Sequence, residues 1–217
     1  EGNIGLDYIT TTDASGTSGG VDELYASGGA DVLFGGSDSD ILEGGSGQNV
    51  VFGDFGSAEF SAGLIASATT SDSSYGAADT IQGSAGAGDR NVVLGGKGGD
   101  SITLGESDDV VLGDFGSLEF SGVYLTKAIT RENGGAELVT DGGADEISGA
   151  GGLDVVLGGA AGDEILLGAG QDVVLGDFGV AKFSETTGII EWVTTYDEFL
   201  ADGTTTAGGV DVITGSE

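Results

Sequence analysis

The sequence contains no proline, cysteine, methionine or histidine, and only 5 of its 217 residues are basic. Without cysteine, the chain forms neither disulfides nor thiolate metal sites. Without histidine, it lacks the usual general base and the usual ligand for zinc or iron. Its 37 acidic residues give a net charge of −32. Nucleic acid and anionic membrane surfaces are therefore unsuitable partners, because both require a basic surface.

Glycine is abundant, with 46 residues, and it alternates with short runs of valine, isoleucine and leucine. Because proline and a three-residue period are absent, this composition excludes collagen. The hydrophobic fraction of 38% favours a buried core over a disordered chain. No run of 18 apolar residues is present, so we expect no membrane insertion.

Two nested periods organise the chain. The motif GDFG begins at Gly53, Gly113 and Gly176, so its copies are 60 and 63 residues apart. Within each copy, aspartate or asparagine recurs at nine-residue intervals, directly before an apolar triplet such as VLF or VVL. Glycine supplies the φ > 0 conformations of tight turns, and the triplet supplies a short pleated strand. Two such units form one coil of about 18 residues, and coils stack about 4.8 Å apart as parallel strands.

This stacking places aspartate and asparagine side chains that are 18 residues apart above one another on the same side. The pairs are Asp22 with Asp40, Asp31 with Asn49, Asn91 with Asp109, Asp145 with Asp163, and Asp154 with Asp172. Like charges this close cost roughly 1–4 kcal/mol per pair, so the ladder requires a counter-charge. Calcium accepts six to eight carboxylate and carbonyl oxygens and suits the site better than magnesium. Alternatively, each aspartate only caps a turn, but the high net charge favours calcium.

The nine-residue units resemble the RTX (hemolysin-type) calcium-binding nonapeptide GGxGxDxUx. GGSGQNVVF at 44–52 and GGKGGDSIT at 95–103 fit this pattern, the first with asparagine at the sixth position. The resemblance implies an all-β fold, a right-handed parallel β-roll or β-solenoid, and several bound Ca²⁺ ions. The implied metal residues are Asp22, Asp31, Asp40, Asn49, Asp79, Asn91, Asp100, Asp109, Asp145, Asp154, Asp163, Asp172 and Asp211.

The GDFG motif itself does not indicate a protein kinase. A kinase also needs an HRD catalytic loop, and this chain has no histidine. On the nine-residue grid, residues 53–61 are the next unit of the roll, but alanine or leucine replaces the ligand at its sixth position. We therefore expect Asp54, Asp114 and Asp177 either to cap the last turn or to complete a differently built ion site.

A segment without the nine-residue period follows each GDFG unit. It forms either a β-hairpin that turns at Gly63, Gly122 or Gly188, or an irregular coil. Inserts therefore recur about every 60 residues in one continuous solenoid. We divide the chain into four consecutive parts and expect it to be a segment of a longer tandem array. The parts are residues 1–58, 59–118, 119–182 and 183–217.

The sequence carries no HExxH motif and no histidine for a catalytic triad, so we expect no enzymatic activity. The expected function is that of a calcium-binding structural segment of a secreted, extracellular or cell-surface protein, such as an adhesin stalk, surface layer or filament. The alternative is a calcium-dependent secretion or stabilising module of an extracellular enzyme. We expect self-association, either end to end or through the third insert near Trp192, Tyr196 and Phe199.

Overall fold

The computed structural model describes residues 6–12, 19–71, 74–84, 86, 88–130, 142–195 and 208–216. In this part of the chain, twenty β-strands form three sheets and no residue is helical. None of the described residues belongs to a helix with the length and apolarity needed to cross a membrane. The prediction of an all-β fold is therefore confirmed.

Two of the sheets are parallel, and their strands follow one another in chain order. The outer sheet consists of β2 (Glu23–Tyr25), β4 (Ile41–Glu43), β8 (Thr80–Gln82), β10 (Ser101–Thr103), β14 (Glu146–Ser148), β16 (Glu164–Ala169) and β20 (Val212–Ser216). The middle sheet consists of β3 (Val32–Phe34), β5 (Val50–Phe52), β9 (Val92–Leu94), β11 (Val110–Leu112), β15 (Val155–Leu157) and β17 (Val173–Leu175). Each nine-residue unit contributes one strand, and successive units place their strands alternately in the outer and the middle sheet.

The third sheet is antiparallel and is built from the inserts. It consists of β1 (Tyr8–Thr10), β6 (Gly56–Ser61), β7 (Leu64–Thr70), β12 (Gly116–Ser121), β13 (Tyr124–Thr130), β18 (Gly179–Phe183) and β19 (Ile190–Thr195). The inserts are therefore hairpins, and of the two predicted alternatives the irregular coil is wrong. In the first turn, Ala62 and Gly63 have φ values of 53° and 80°, as a two-residue type I′ turn requires.

The prediction of a single β-roll is correct only in part, because the antiparallel sheet forms a separate layer. The placement of residues 53–61 as a further unit of the roll is wrong. Residues Gly56–Ser61 pair antiparallel with β7 instead. Their alternation of buried Ala58 with exposed Glu59 suits a longer strand that is covered on one face.

The middle sheet is buried on both faces and separates two apolar cores. Val50 and Phe52 pack against Ala58 and other residues of the hairpin sheet. Val51, between them, faces the outer sheet and contacts the core that contains Leu42. Successive side chains of a strand point to opposite faces, so a strand between two layers must be apolar throughout. This explains the repeated VVL triplets.

Candidate metal-binding ladders

Two columns of aspartate and asparagine run along the edges of the parallel sheets. The outer ladder contains the residue that directly precedes each outer-sheet strand: Asp22, Asp40, Asp79, Asp100, Asp145, Asp163 and Asp211. The middle ladder contains the residue that directly precedes each middle-sheet strand: Asp31, Asn49, Asn91, Asp109, Asp154 and Asp172. Together the two ladders contain every residue for which calcium binding was predicted at the sixth position.

Hydrogen bonds connect successive members of each ladder. In the outer ladder, the backbone N–H of each aspartate donates to Oδ1 of the next, over distances of 2.7–3.0 Å. Most steps of the middle ladder are built in the same way. All five stacked pairs predicted from the 18-residue separation are present, so that prediction is confirmed.

The ladders also continue across the hairpins, which the sequence analysis missed. The Asp100 N–H donates to Asp145 Oδ1 at 2.8 Å, although the two residues are 45 positions apart. Asp109 and Asp154 are joined across the same hairpin at 3.0 Å. The hairpin leaves the roll and returns one coil further on, so the nine-residue count is interrupted while the column is not. A comparison of the aspartates that flank each insert could have revealed this continuity.

The interior members of both ladders are buried, and most of their carboxylates have one unpaired oxygen. Asp100, Asp109 and Asp154 are at most 1% exposed, whereas Asp22 at the end of the outer ladder is exposed. Among the described residues, Oδ2 finds no hydrogen-bond donor in eight ladder aspartates: Asp31, Asp40, Asp79, Asp100, Asp109, Asp145, Asp154 and Asp163. An unsatisfied buried polar atom costs about 1–3 kcal/mol, and more if it is charged.

Burial changes the acidity of these carboxyl groups. It raises the pKa of Asp79, Asp109 and Asp163 to about 7, and the pKa of Asp154 to about 6. Burial, together with the charge of Asp145, raises the pKa of Asp100 well above its ordinary value. At neutral pH the ladders therefore require either protons or cations to offset their charge.

Glycines at the ends of the middle-sheet strands make room for the outer-ladder carboxylates. A Cβ atom on Gly95 would overlap with Asp100 Oδ2 and with the carbonyl oxygen of Gly113. Five other glycines likewise have no room for a Cβ beside an outer-ladder carboxylate: Gly35, Gly53, Gly113, Gly158 and Gly176. The φ of Gly95 is not in the left-handed region, so glycine is required here by close approach and not, as the sequence suggested, by turn conformation.

Replacing Gly95 by alanine is expected to destabilise the protein by about 1–3 kcal/mol, because the new Cβ displaces a buried carboxylate. Gly20 is the matched control, since a Cβ there would have no neighbour within 4 Å. Urea unfolding in calcium compares the two variants, and Gly20→Ala is expected to lie within about 0.5 kcal/mol of the parent. Equal stabilities for the two variants would contradict the close-approach argument.

The ligands that the ladders offer suit calcium. All are oxygens, from carboxylates and from backbone carbonyls such as Gly113, and hard cations prefer such oxygens. In the described part of the chain, no group of three or more acidic, histidine or cysteine side chains is close enough to hold an ion by itself. Backbone carbonyls of the glycine-rich turns therefore stay the predicted additional ligands.

The three GDFG aspartates join separate segments of the chain through hydrogen bonds. Asp54 accepts bonds from the backbone N–H groups of Ala77 and Lys97, which lie on the hairpin return and on the next coil. Asp114 accepts equivalent bonds from Gly143 and Ala160, and Asp177 accepts one from Gly209. Burial raises the pKa of Asp54 to about 8. These long-range bonds fix each hairpin to the parallel sheets and are not a local turn cap; the ion-site role of these aspartates stays a prediction.

The comparisons with known proteins address the repeat directly. The family model of the RTX calcium-binding nonapeptide repeat (4 copies) matches residues 17–57, 86–117 and 139–174, about half of the chain. No curated protein and no solved structure matches. The predicted resemblance is therefore confirmed. The chain belongs to the RTX calcium-binding nonapeptide-repeat family, whose repeats bind multiple Ca²⁺ ions.

Proposed function

We propose that this chain is a structural segment that folds when calcium binds along its two ladders. The observation that carries the proposal is the set of eight ladder aspartates whose buried Oδ2 atoms have no donor among the described residues. Without cations, these charges oppose folding at neutral pH. In this proposal, the two parallel sheets are the two faces of a right-handed β-roll. The division of the chain into four repeat parts, with boundaries near residues 58, 118 and 182, stays a prediction.

The proposed ligands of each ion are the stacked side chains of one ladder and carbonyl oxygens of two successive turns. The predicted metal residues are therefore the thirteen ladder members, while Asp54, Asp114 and Asp177 use their oxygens for backbone N–H groups. A bound calcium ion supplies the positive charge that offsets two stacked carboxylates. Because a site exists only between stacked coils, ion binding and folding are linked.

The biological setting that fits this chemistry is extracellular. Calcium is abundant there, so sites of millimolar affinity would be filled, whereas the chain would stay unfolded in a cytosol poor in calcium. We place the segment in a secreted or cell-surface protein such as an adhesin stalk, surface layer or filament, without enzymatic activity. The alternative is a stabilising or secretion module of an extracellular enzyme whose catalytic domain lies outside these residues.

The outward face of the third hairpin is the proposed surface for association with a second copy. Trp192 is 47% exposed and lies beside Lys182, which in turn lies beside Lys127. Lys127 pairs with Glu119 at 3.1 Å, so the exposed Lys182 is the lysine that suits an acidic partner here, and a second copy of this chain is strongly acidic. Tyr196 and Phe199, the other predicted contacts, lie outside the described residues. Sedimentation of the parent and of Trp192→Ala in calcium tests this association between two copies. A strictly monomeric parent at high concentration would contradict the proposed association.

A calcium titration followed by far-UV circular dichroism tests the proposed function. We expect a transition from coil to β-structure that calcium drives, EDTA reverses and magnesium does not reproduce, because magnesium demands tighter octahedral geometry. A β-spectrum that is unchanged by EDTA would mean that the ladder aspartates only cap turns. The linkage between calcium and folding would then be wrong, although the fold itself could stand.

A further inference from the structure

We propose that one step of the middle ladder, between Asn49 and Asn91, is closed by amide protons and takes no calcium ion. This step therefore needs no ion to pair its side chains, while steps between two aspartates, such as Asp109 to Asp154, need one. The inference rests on the proposed function for those aspartate steps. Both asparagines are at most 1% exposed, so their side chains face only protein.

The side-chain amide of Asn49 lies where backbone carbonyls converge. Its Nδ2 donates to the carbonyl oxygens of Gly45 and Gly47 at 3.4 and 3.3 Å, in the turn that leads to Asn49. The same nitrogen is 3.5 Å from Oδ1 of Asn91 in the next coil. One amide group thus bonds to turn carbonyls of its own coil and to the ladder oxygen of its neighbour.

Asn91 repeats this arrangement one coil further on. Its Nδ2 donates to the carbonyl oxygen of Asp89 at 3.1 Å and to Oδ1 of Asp109 at 3.0 Å. Its own Oδ1 accepts the backbone N–H of Ser84 at 3.0 Å. The polar atoms of both asparagine side chains therefore have protein partners.

Aspartates at equivalent positions lack these bonds. In Asp109 and Asp154 the second side-chain atom is an oxygen, and it has no donor among the described residues. A carboxylate carries no proton to share with an acceptor, so at these positions a cation must offset the charge that the free oxygen shares. The amide nitrogen of asparagine supplies two protons at the same place and adds no charge. The two asparagines thus do locally what the ion does elsewhere in the ladder.

The test converts the asparagine step into an aspartate step. In the double variant Asn49→Asp/Asn91→Asp, the amide donors are lost and two carboxylates are stacked. We expect one additional calcium ion bound per chain in equilibrium dialysis, and a lower melting temperature when calcium is limiting. The matched control is Gln48→Glu/Gln82→Glu, which adds the same charge at exposed positions. This control should bind as many ions as the parent.

Two outcomes would overturn the inference. One is an unchanged ion count in a folded double variant. The other is a melting temperature in limiting calcium that drops no further than that of the control. If the double variant does not fold, Asp109→Asn extends the amide-closed segment by one step. This variant should bind one ion fewer than the parent and melt at a higher temperature in limiting calcium. An unchanged ion count together with an unchanged melting temperature would contradict the inference. If instead the parent itself binds no calcium, the proposed function fails, and the two failures remain distinguishable.

Discussion

Replacing Asp145 by asparagine is expected to change stability in opposite directions with and without calcium. Asp145 lies in the interior of the outer ladder, and its Oδ1 accepts the Asp100 N–H. Asparagine keeps that acceptor but removes a buried charge whose Oδ2 has no donor. In EDTA at neutral pH the variant should therefore be more stable than the parent by about 1–3 kcal/mol.

In calcium the same substitution should be destabilising, because it removes a charged ligand from two neighbouring steps. Losing one ion that is present at about 100 times its Kd removes ~2.7 kcal/mol of stability. Urea unfolding in calcium measures the second effect. The pH midpoint of folding in EDTA, which should be higher for the variant than for the parent, measures the first. Glu106→Gln removes the same charge from an exposed turn and should change stability little in either condition. A variant that is less stable than the parent in both conditions would mean that Asp145 stabilises the fold without binding calcium.

Lowering the pH is expected to fold the calcium-free protein. Burial raises the pKa of Asp79, Asp109 and Asp163 to about 7, whereas an unfolded aspartate titrates near 3.9. The folded state therefore binds more protons than the unfolded state between these values. The stabilisation from protonation is complete below about pH 4 and is lost as the pH rises through about 7. Each unit of pKa difference is worth about 1.4 kcal/mol, so several buried groups together give a large effect.

The measurement is circular dichroism in EDTA as a function of pH. We expect β-structure near pH 5 and its loss near pH 8, with a midpoint between these values. Adding calcium at the higher pH should restore the β-structure and release protons, since calcium and protons compete for the same oxygens. If the calcium-free protein were equally folded at both pH values, the ladder carboxylates could not be buried as described.

Much of the parallel part of the fold follows from local sequence. The apolar triplets predicted the short strands, and the nine-residue spacing predicted the stacking of five aspartate and asparagine pairs. Both succeed because a strand and its turn are set within nine residues, and because one coil repeats the next. The sequence alone excluded the interpretation of GDFG as a kinase motif. In the structure, Asp54 and Asp114 bind backbone N–H groups that connect the hairpins to the parallel sheets.

The remaining features depend on contacts between residues that are distant in sequence. The antiparallel layer could not be predicted, because β7 pairs not only with β6 but also with β12 of the next insert. The step from Asp100 to Asp145 depends on a hairpin returning to the position it left. Gly95 looked like a turn glycine, and only the position of the Asp100 carboxylate explains it. The amide bonds of Asn49 likewise require the three-dimensional turn.

The measurement that tests the central claim most directly is diffraction from crystals grown in calcium, with ions located by their anomalous signal. The claim predicts ions in two columns, each ion within about 2.3–2.6 Å of ladder carboxylate oxygens and turn carbonyls. The step between Asn49 and Asn91 should hold none. Ions found only on the exposed surface, or buried ladder carboxylates that bind no ion at neutral pH, would contradict the claim.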